Sequence, residues 1–177
     1  MSSISTDVLV KVVVIVGLAL FFLATAFIRF STKIVPENKR VVIMRFGKTT
    51  GSQGPGIVTL IPIIDYAIWV DVQPTFHYQY GDLPTSENQK ISCAVTLEGK
   101  VTDPEKSVLN VPNLENALSK VIETEITDIA RSKSSDELRQ RHDWLESHLK
   151  DVLYRSSRLW GFEVSRLSIH DLEVPRA

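Results

Sequence analysis

The chain has 177 residues, a formal net charge of −1 from 20 Lys+Arg against 21 Asp+Glu, and a single cysteine. The charge balance excludes nucleic-acid binding driven by a basic surface, and one cysteine excludes an intrachain disulfide and a cysteine-based zinc site. With 44% hydrophobic residues, the composition is that of a folded chain, long enough for one domain of about 100–150 residues plus an appendage.

The near-neutral mean hydropathy of +0.03 conceals one apolar block. Residues 8–28 hold 18 apolar residues out of 21, the exceptions being Lys11, Gly17 and Thr25. As a helix the block spans about 31 Å, one bilayer core, and Lys11 sits where its ammonium can reach the headgroups. Val12, Val16, Leu20, Phe22, Leu23 and Phe27 are the candidate anchor residues. Two alternatives exist. Ala24-Thr25-Ala26 resembles a signal-peptide cleavage site, although Asp7 and one lysine make a weak leading region. A buried core helix is the other, but a terminal helix this apolar is hard to bury in so small a domain.

Cations flank the block unequally: Lys11 before its core, and Arg29, Lys33, Lys39, Arg40, Arg45 and Lys48 after it. The positive-inside rule then predicts a single pass through the cell (plasma or inner) membrane with the following domain cytoplasmic. Residues 29–48 carry six cations against Glu37, and residues 49–130 carry four cations against eleven acids. Arg29, Lys33, Lys39 and Arg40 are the candidate headgroup contacts. The acidic middle reads as a solvated face, or as one meeting a basic surface on a neighbouring subunit.

Further along, residues 31–38 read as a juxtamembrane connector and 40–46 (RVVIMRF) as a β-branched strand. Residues 47–56 (GKTTGSQGPG) read as a loop with four glycines. Residues 57–64 (IVTLIPII) form a second apolar run, followed by a strand over 66–72 and a further edge strand from Pro74, stopped by Pro84. Residues 90–101 alternate Ile91, Cys93, Val95 and Leu97 on one face, a half-buried strand. Asp103-Pro104 opens a short helix over 105–110, and Asn113 caps a longer one whose apolar residues recur every 3.6 positions to Ser132. Ser134 and Glu137 form a capping box for a second long helix with the stripe Leu138, Leu145, Leu149, Val152, Leu153, Leu159 and Trp160, ended by Gly161. Residues 162–172 read as a last strand. The class is α+β, with an anchor over 1–30 and a domain over 31–175.

Catalytic signals are weak. Gly47-Lys48-Thr49 resembles the end of a P-loop, but Val42 stands where the motif needs glycine and no helix follows. His77, His142, His148 and His170 lack a metal-chelating spacing, and Cys93 reads as a buried structural thiol. No cofactor is implied. The 57–64 run is less bland. It is either a core strand or a loop dipping into the membrane interface, with Ile57, Leu60, Ile61, Ile63, Ile64 and Trp69 as the candidate contacts.

The stretch IVPENKRVVIMRFGK at 34–48 resembles the opening of a stomatin/prohibitin-type (SPFH, or Band 7) domain. Gly54-Pro55-Gly56, Ile61-Pro62, Asp65 and Val70-Asp71 are similar to its next block. Asp103-Pro104 and Val111-Pro112-Asn113-Leu114 match the start of its helical half. Leu159-Trp160-Gly161-Phe162-Glu163-Val164, Ile169-His170-Asp171-Leu172 and Pro175 match its close. The stomatin-like branch is the best fit. The resemblance implies a non-enzymatic membrane scaffold that oligomerises with itself or with other SPFH subunits and organises lipid microdomains. It also implies partners among membrane lipids and membrane channels or proteases, and it draws the 57–64 run towards the bilayer. Relatives continue past the final proline into a long oligomerising helix. This chain stops two residues after Pro175, which leaves the order of assembly open.

Overall fold

The computed structural model describes residues 6–87 and 89–173. Helix α1 (Thr6–Ser31) is followed by β1 (Thr32–Val35), β2 (Lys39–Arg45), β3 (Lys48–Gln53), β4 (Gly56–Thr59), β5 (Asp65–Asp71), β6 (Thr75–Pro84) and β7 (Lys90–Val101). Then come α2 (Pro104–Leu109), α3 (Leu114–Ser132), α4 (Ser135–Gln140), α5 (His142–Ser157), a 3-10 turn (Arg158–Trp160) and β8 (Phe162–Glu173). An N-terminal apolar helix thus precedes a β-rich region, then helices and a closing strand, which is the α+β order expected. The stretch from Val174, with the closing Pro175, lies outside the described residues.

α1 is apolar on every side, and residues 8–30 are exposed throughout, only Ser31 at its end being buried. Among the described residues nothing packs over this stretch, which speaks against the core-helix alternative.

The strands form three antiparallel sheets, β1-β4, β3-β2-β5 and β6-β7-β8. Val35, Val41, Ile43, Val58 and Leu60 close a small core between the first two. The larger core lies between the third sheet and the helices. There Ile91, Cys93, Val95 and Leu97 of central β7 meet Leu118, Ile122 and Ile126 of α3 and Leu145, Leu149 and Leu153 of α5. The Tyr78 and Tyr80 hydroxyls donate to the Glu115 and Ser119 carbonyls of α3, tying it to β6. Phe162 lies against Gly99, where an added Cβ would collide with its ring. Asp103 accepts from Lys106 N and Asn113 from Asn116 N as read, and of the Ser134–Glu137 box the Ser134 hydroxyl accepts from Glu137 N.

Four sequence expectations change. Residues 47–56 are not all loop: Lys48–Gln53 is β3, an edge strand that needs only backbone pairing with β2, so its polar, glycine-containing side chains are no obstacle. The connector contains β1, paired along its whole length with β4. The second long helix breaks at Arg141 (φ −110°, ψ 33°), which ends α4 and starts α5, and Leu159 stands exposed rather than on the buried stripe. The 57–64 run is not one strand; only its first three residues belong to β4.

β8 is an edge strand, and α5 covers part of its outer rim. Glu146 Oε1 accepts from Ile169 N (2.7 Å), His142 Nε2 lies 3.0 Å from Ile169 O, and Lys150 Nζ donates to Ser165 O (3.1 Å). These three side chains are four residues apart on one helix face, so they run as a row beside the strand. Occupied edge groups discourage unwanted strand pairing.

Candidate membrane-facing site

α1 passes into β1 without a linker. Thr32 Oγ1 donates to Ile28 O (3.0 Å), and Leu60 N donates to Ser31 O (2.7 Å). The β1-β4 register begins at Thr32↔Thr59, so the chain leaves β4 beside the last turn of α1. After five intervening residues it enters β5 at Asp65, opposite Arg45, the last residue of β2. Leu60–Ile64 therefore joins the helix-exit end of one sheet to the Arg45–Asp65 end of the next.

This connection is tightly tied. Asp65 N and Ile64 N both donate to Ile61 O (2.9 and 3.3 Å), and Ile61 N donates to Asp65 Oδ2 (2.8 Å). Arg45 grips the same carboxylate with two bonds, Nε to Oδ1 at 2.7 Å and Nη2 to Oδ2 at 3.0 Å. The Asp65 side chain is 1% exposed, covered by its own turn rather than by depth in the protein. The Arg45 fork and the Ile61 N–H bond hold its carboxyl down at about 2.

Around the turn the apolar side chains face outward. Ile57 and its cross-strand neighbour Ile34 are each 77% exposed, Ile63 is fully exposed, and Ile61 and Ile64 are partly so. Leu60 does not join them. At 8% exposure it belongs to the small core, because β4 turns Val58 and Leu60 inward while Ile57 points out. Trp69 is exposed but pairs with Val41, about 13 Å along β5 from the turn. It lines an open, mostly apolar cleft of about 490 Å³ between this sheet and the start of α3, with Val70, Phe76, Leu109 and Leu114. The candidate anchor residues Val12, Val16, Leu20, Phe22, Leu23 and Phe27 are all exposed.

The cations separate into two groups. Arg29, in the last turn of α1, and Lys33 on β1 lie at the helix exit. Lys39 and Arg40 start β2, about 20 Å from Arg45 along the strand, and Lys39 pairs there with Asp71 (3.5 Å). β1 leaves the exit and β2 returns to it, so cations close in sequence end up far apart. Those the fold returns to the exit are Arg45, committed to Asp65, and exposed Lys48 opposite it on β3. The candidate headgroup contacts omit Lys48, and the candidate interface residues omit Phe46, two positions before it and 81% exposed. The signal for both is Phe46-Gly47, a two-residue hairpin turn between β2 and β3.

Cys93 is buried, and desolvation raises its thiol to about 11, the state of an unreactive core cysteine. Among the described residues no group of three or more His, Cys, Asp or Glu side chains is placed to hold a metal. Gly47-Lys48-Thr49 lies across the β2–β3 turn and the first pair of β3, with no helix N-terminus after it.

The profile of the SPFH domain / Band 7 family matches residues 33–177. A stomatin homolog of Pyrococcus horikoshii is 32% identical over 161 residues, covering 88% of this chain and 57% of the relative. A stomatin homolog of Pyrococcus abyssi matches equally, and Mus musculus stomatin is 26% identical over 168 residues, covering 92% of this chain and 59% of its own length. The chain thus spans little more than half the length of these relatives. An apolar helix of membrane-spanning length runs into paired strands, strands and helices follow in the expected order, and the profile covers almost everything after the helix: the chain belongs to the SPFH domain / Band 7 family.

Proposed function

We propose that this chain is a single-pass membrane scaffold without catalytic chemistry, anchored by residues 1–30, with residues 31–175 as its domain. It oligomerises at the bilayer, with its own copies or other SPFH subunits, and organises lipid microdomains or membrane protein complexes. The observation that carries the reading is the coincidence of the α1 exit with the exposed Ile57, Ile61, Ile63 and Ile64. Arg29, Lys33 and Lys48 ring this end and suit anionic headgroups, which favours a cytoplasmic domain. Each isoleucine moved from water into the interface contributes about 1.5–3 kcal/mol at most, so a few together hold a domain against a bilayer.

Ile61→Asp with Ile63→Asp, in a fragment starting at residue 29, is expected to lose most of its sedimentation with liposomes. Unchanged sedimentation by a variant with native circular dichroism overturns the interfacial contact. Native mass spectrometry of the detergent-solubilised full chain tests assembly, and a strictly monomeric spectrum overturns self-oligomerisation. A second reading, a regulatory partner of a membrane protease or channel, is favoured by the cleft beside Trp69, which suits an apolar side chain from another protein. It predicts one stoichiometric integral membrane protein co-purifying in mild detergent; recovery of lipid and self-assemblies alone counts against it.

A further inference from the structure

Two residues at the exit end hold large apolar side chains in backbone conformations that such residues avoid. Phe46 has φ 50° and Gly47 φ 76°, so both residues of the β2–β3 turn are left-handed, the type I′ geometry that normally takes Asn-Gly. Ile63 has φ 74°, and a β-branched residue there is an outlier. Neither cost is offset by packing within the chain, since both side chains stand in the open. Asparagine or glycine at either position would relieve the backbone, and an exposed phenylalanine or isoleucine adds nothing to the fold.

The two positions are linked. Phe46 follows Arg45 directly, and Ile63 lies two residues before Asp65. The Arg45–Asp65 fork joins the bases of the two turns, and the Asp65 carboxylate also holds Ile61 N at the far side of the second. The connection that carries Ile63 starts beside Ser31, where α1 ends.

We propose that Phe46 is a second lipid-inserting prong beside Ile63, and that the Arg45–Asp65 pair braces both turns so that they enter the acyl-chain boundary together. The inference rests on the membrane-facing reading above and adds to it the second prong and the brace. A bidentate pair suits this task because guanidinium and carboxylate fix each other's orientation as well as their separation. Holding the prongs ready removes an ordering cost that loose loops incur on binding.

The test uses the full chain in phosphatidylcholine–phosphatidylglycerol vesicles. An environment-sensitive fluorophore is placed on Phe46→Cys, Ile63→Cys or, as an aqueous control on α3, Glu123→Cys. Buried Cys93 stays unlabelled. Brominated lipids are expected to quench positions 46 and 63 and not 123. Adding Asp65→Asn is expected to abolish quenching at both sites together. Arg45→Lys, which keeps the charge but not the fork, is expected to do the same with native circular dichroism and guards against an Asp65→Asn variant that fails to fold. Quenching at 63 with none at 46 overturns the second prong and leaves the membrane-facing reading intact. Quenching that survives both brace variants overturns the brace. Absence of quenching at both positions in the parent overturns the inference and the reading alike.

Discussion

Asp65 concentrates several of the domain's constraints in one side chain: two bonds from Arg45 and one from Ile61 N, with 1% exposure. Its carboxyl is held at about 2, below the ordinary value of 3.8. A depressed acid stabilises the folded state fully above the unfolded value, and the contribution is lost as pH falls from about 4 towards 2. The parent should therefore lose melting temperature between pH 4.5 and 2.5 more steeply than Asp65→Asn, which lacks the titrating group. Parallel curves for the two proteins would show that the ion pair is not felt in stability. The PxxD spacing of Pro62 and Asp65 was visible beforehand as part of the family resemblance. Its physical role was not, because Arg45 lies twenty residues upstream and only the β2–β5 register sets the two side by side.

Local pattern served well for elements whose signals are short-range. α3 begins at its asparagine cap, β7 alternates as read, and Gly161 (φ 67°) stops the 3-10 turn. Pattern failed at β3, whose pairing depends on β2 and not on its own residues, and at Arg141, where the helix bends so that α4 and α5 can both reach one core. The row of His142, Glu146 and Lys150 along β8 had no sequence signal beyond four-residue spacing. Glu146→Ala leaves the Ile169 N–H without its carboxylate and is expected to cost about 1–3 kcal/mol, read as a lower urea midpoint with unchanged slope. Glu146→Gln, which keeps an acceptor, should recover most of that loss.

At the scale of the whole molecule, charge is redistributed by folding. The cluster of cations after α1 looks like one patch in the sequence, yet β1 and β2 run in opposite directions and split it. Reversing Arg29, Lys33 and Lys48 to glutamate should weaken binding of the fragment from residue 29 to phosphatidylglycerol vesicles by about 1 kcal/mol or more per residue. Lys39→Gln with Arg40→Gln, at the far end of β2, should change it little. Equal loss from both sets, measured by co-sedimentation at fixed salt, would mean that the whole stretch lies on the membrane.

The sequence by itself determined the apolar N-terminal helix, the α+β order, most helix and strand positions, the buried thiol and the family. The family rests on the resemblance of its motifs, and the others rest on composition, periodicity or caps, which act over a few residues. Only the tertiary structure decided which residues of the 57–64 run face outward, that Leu60 is core, that Lys39 and Arg40 lie away from the helix exit, and that Phe46 and Ile63 share one edge. These follow from strand register, and register is set by pairing between segments that the chain itself keeps apart.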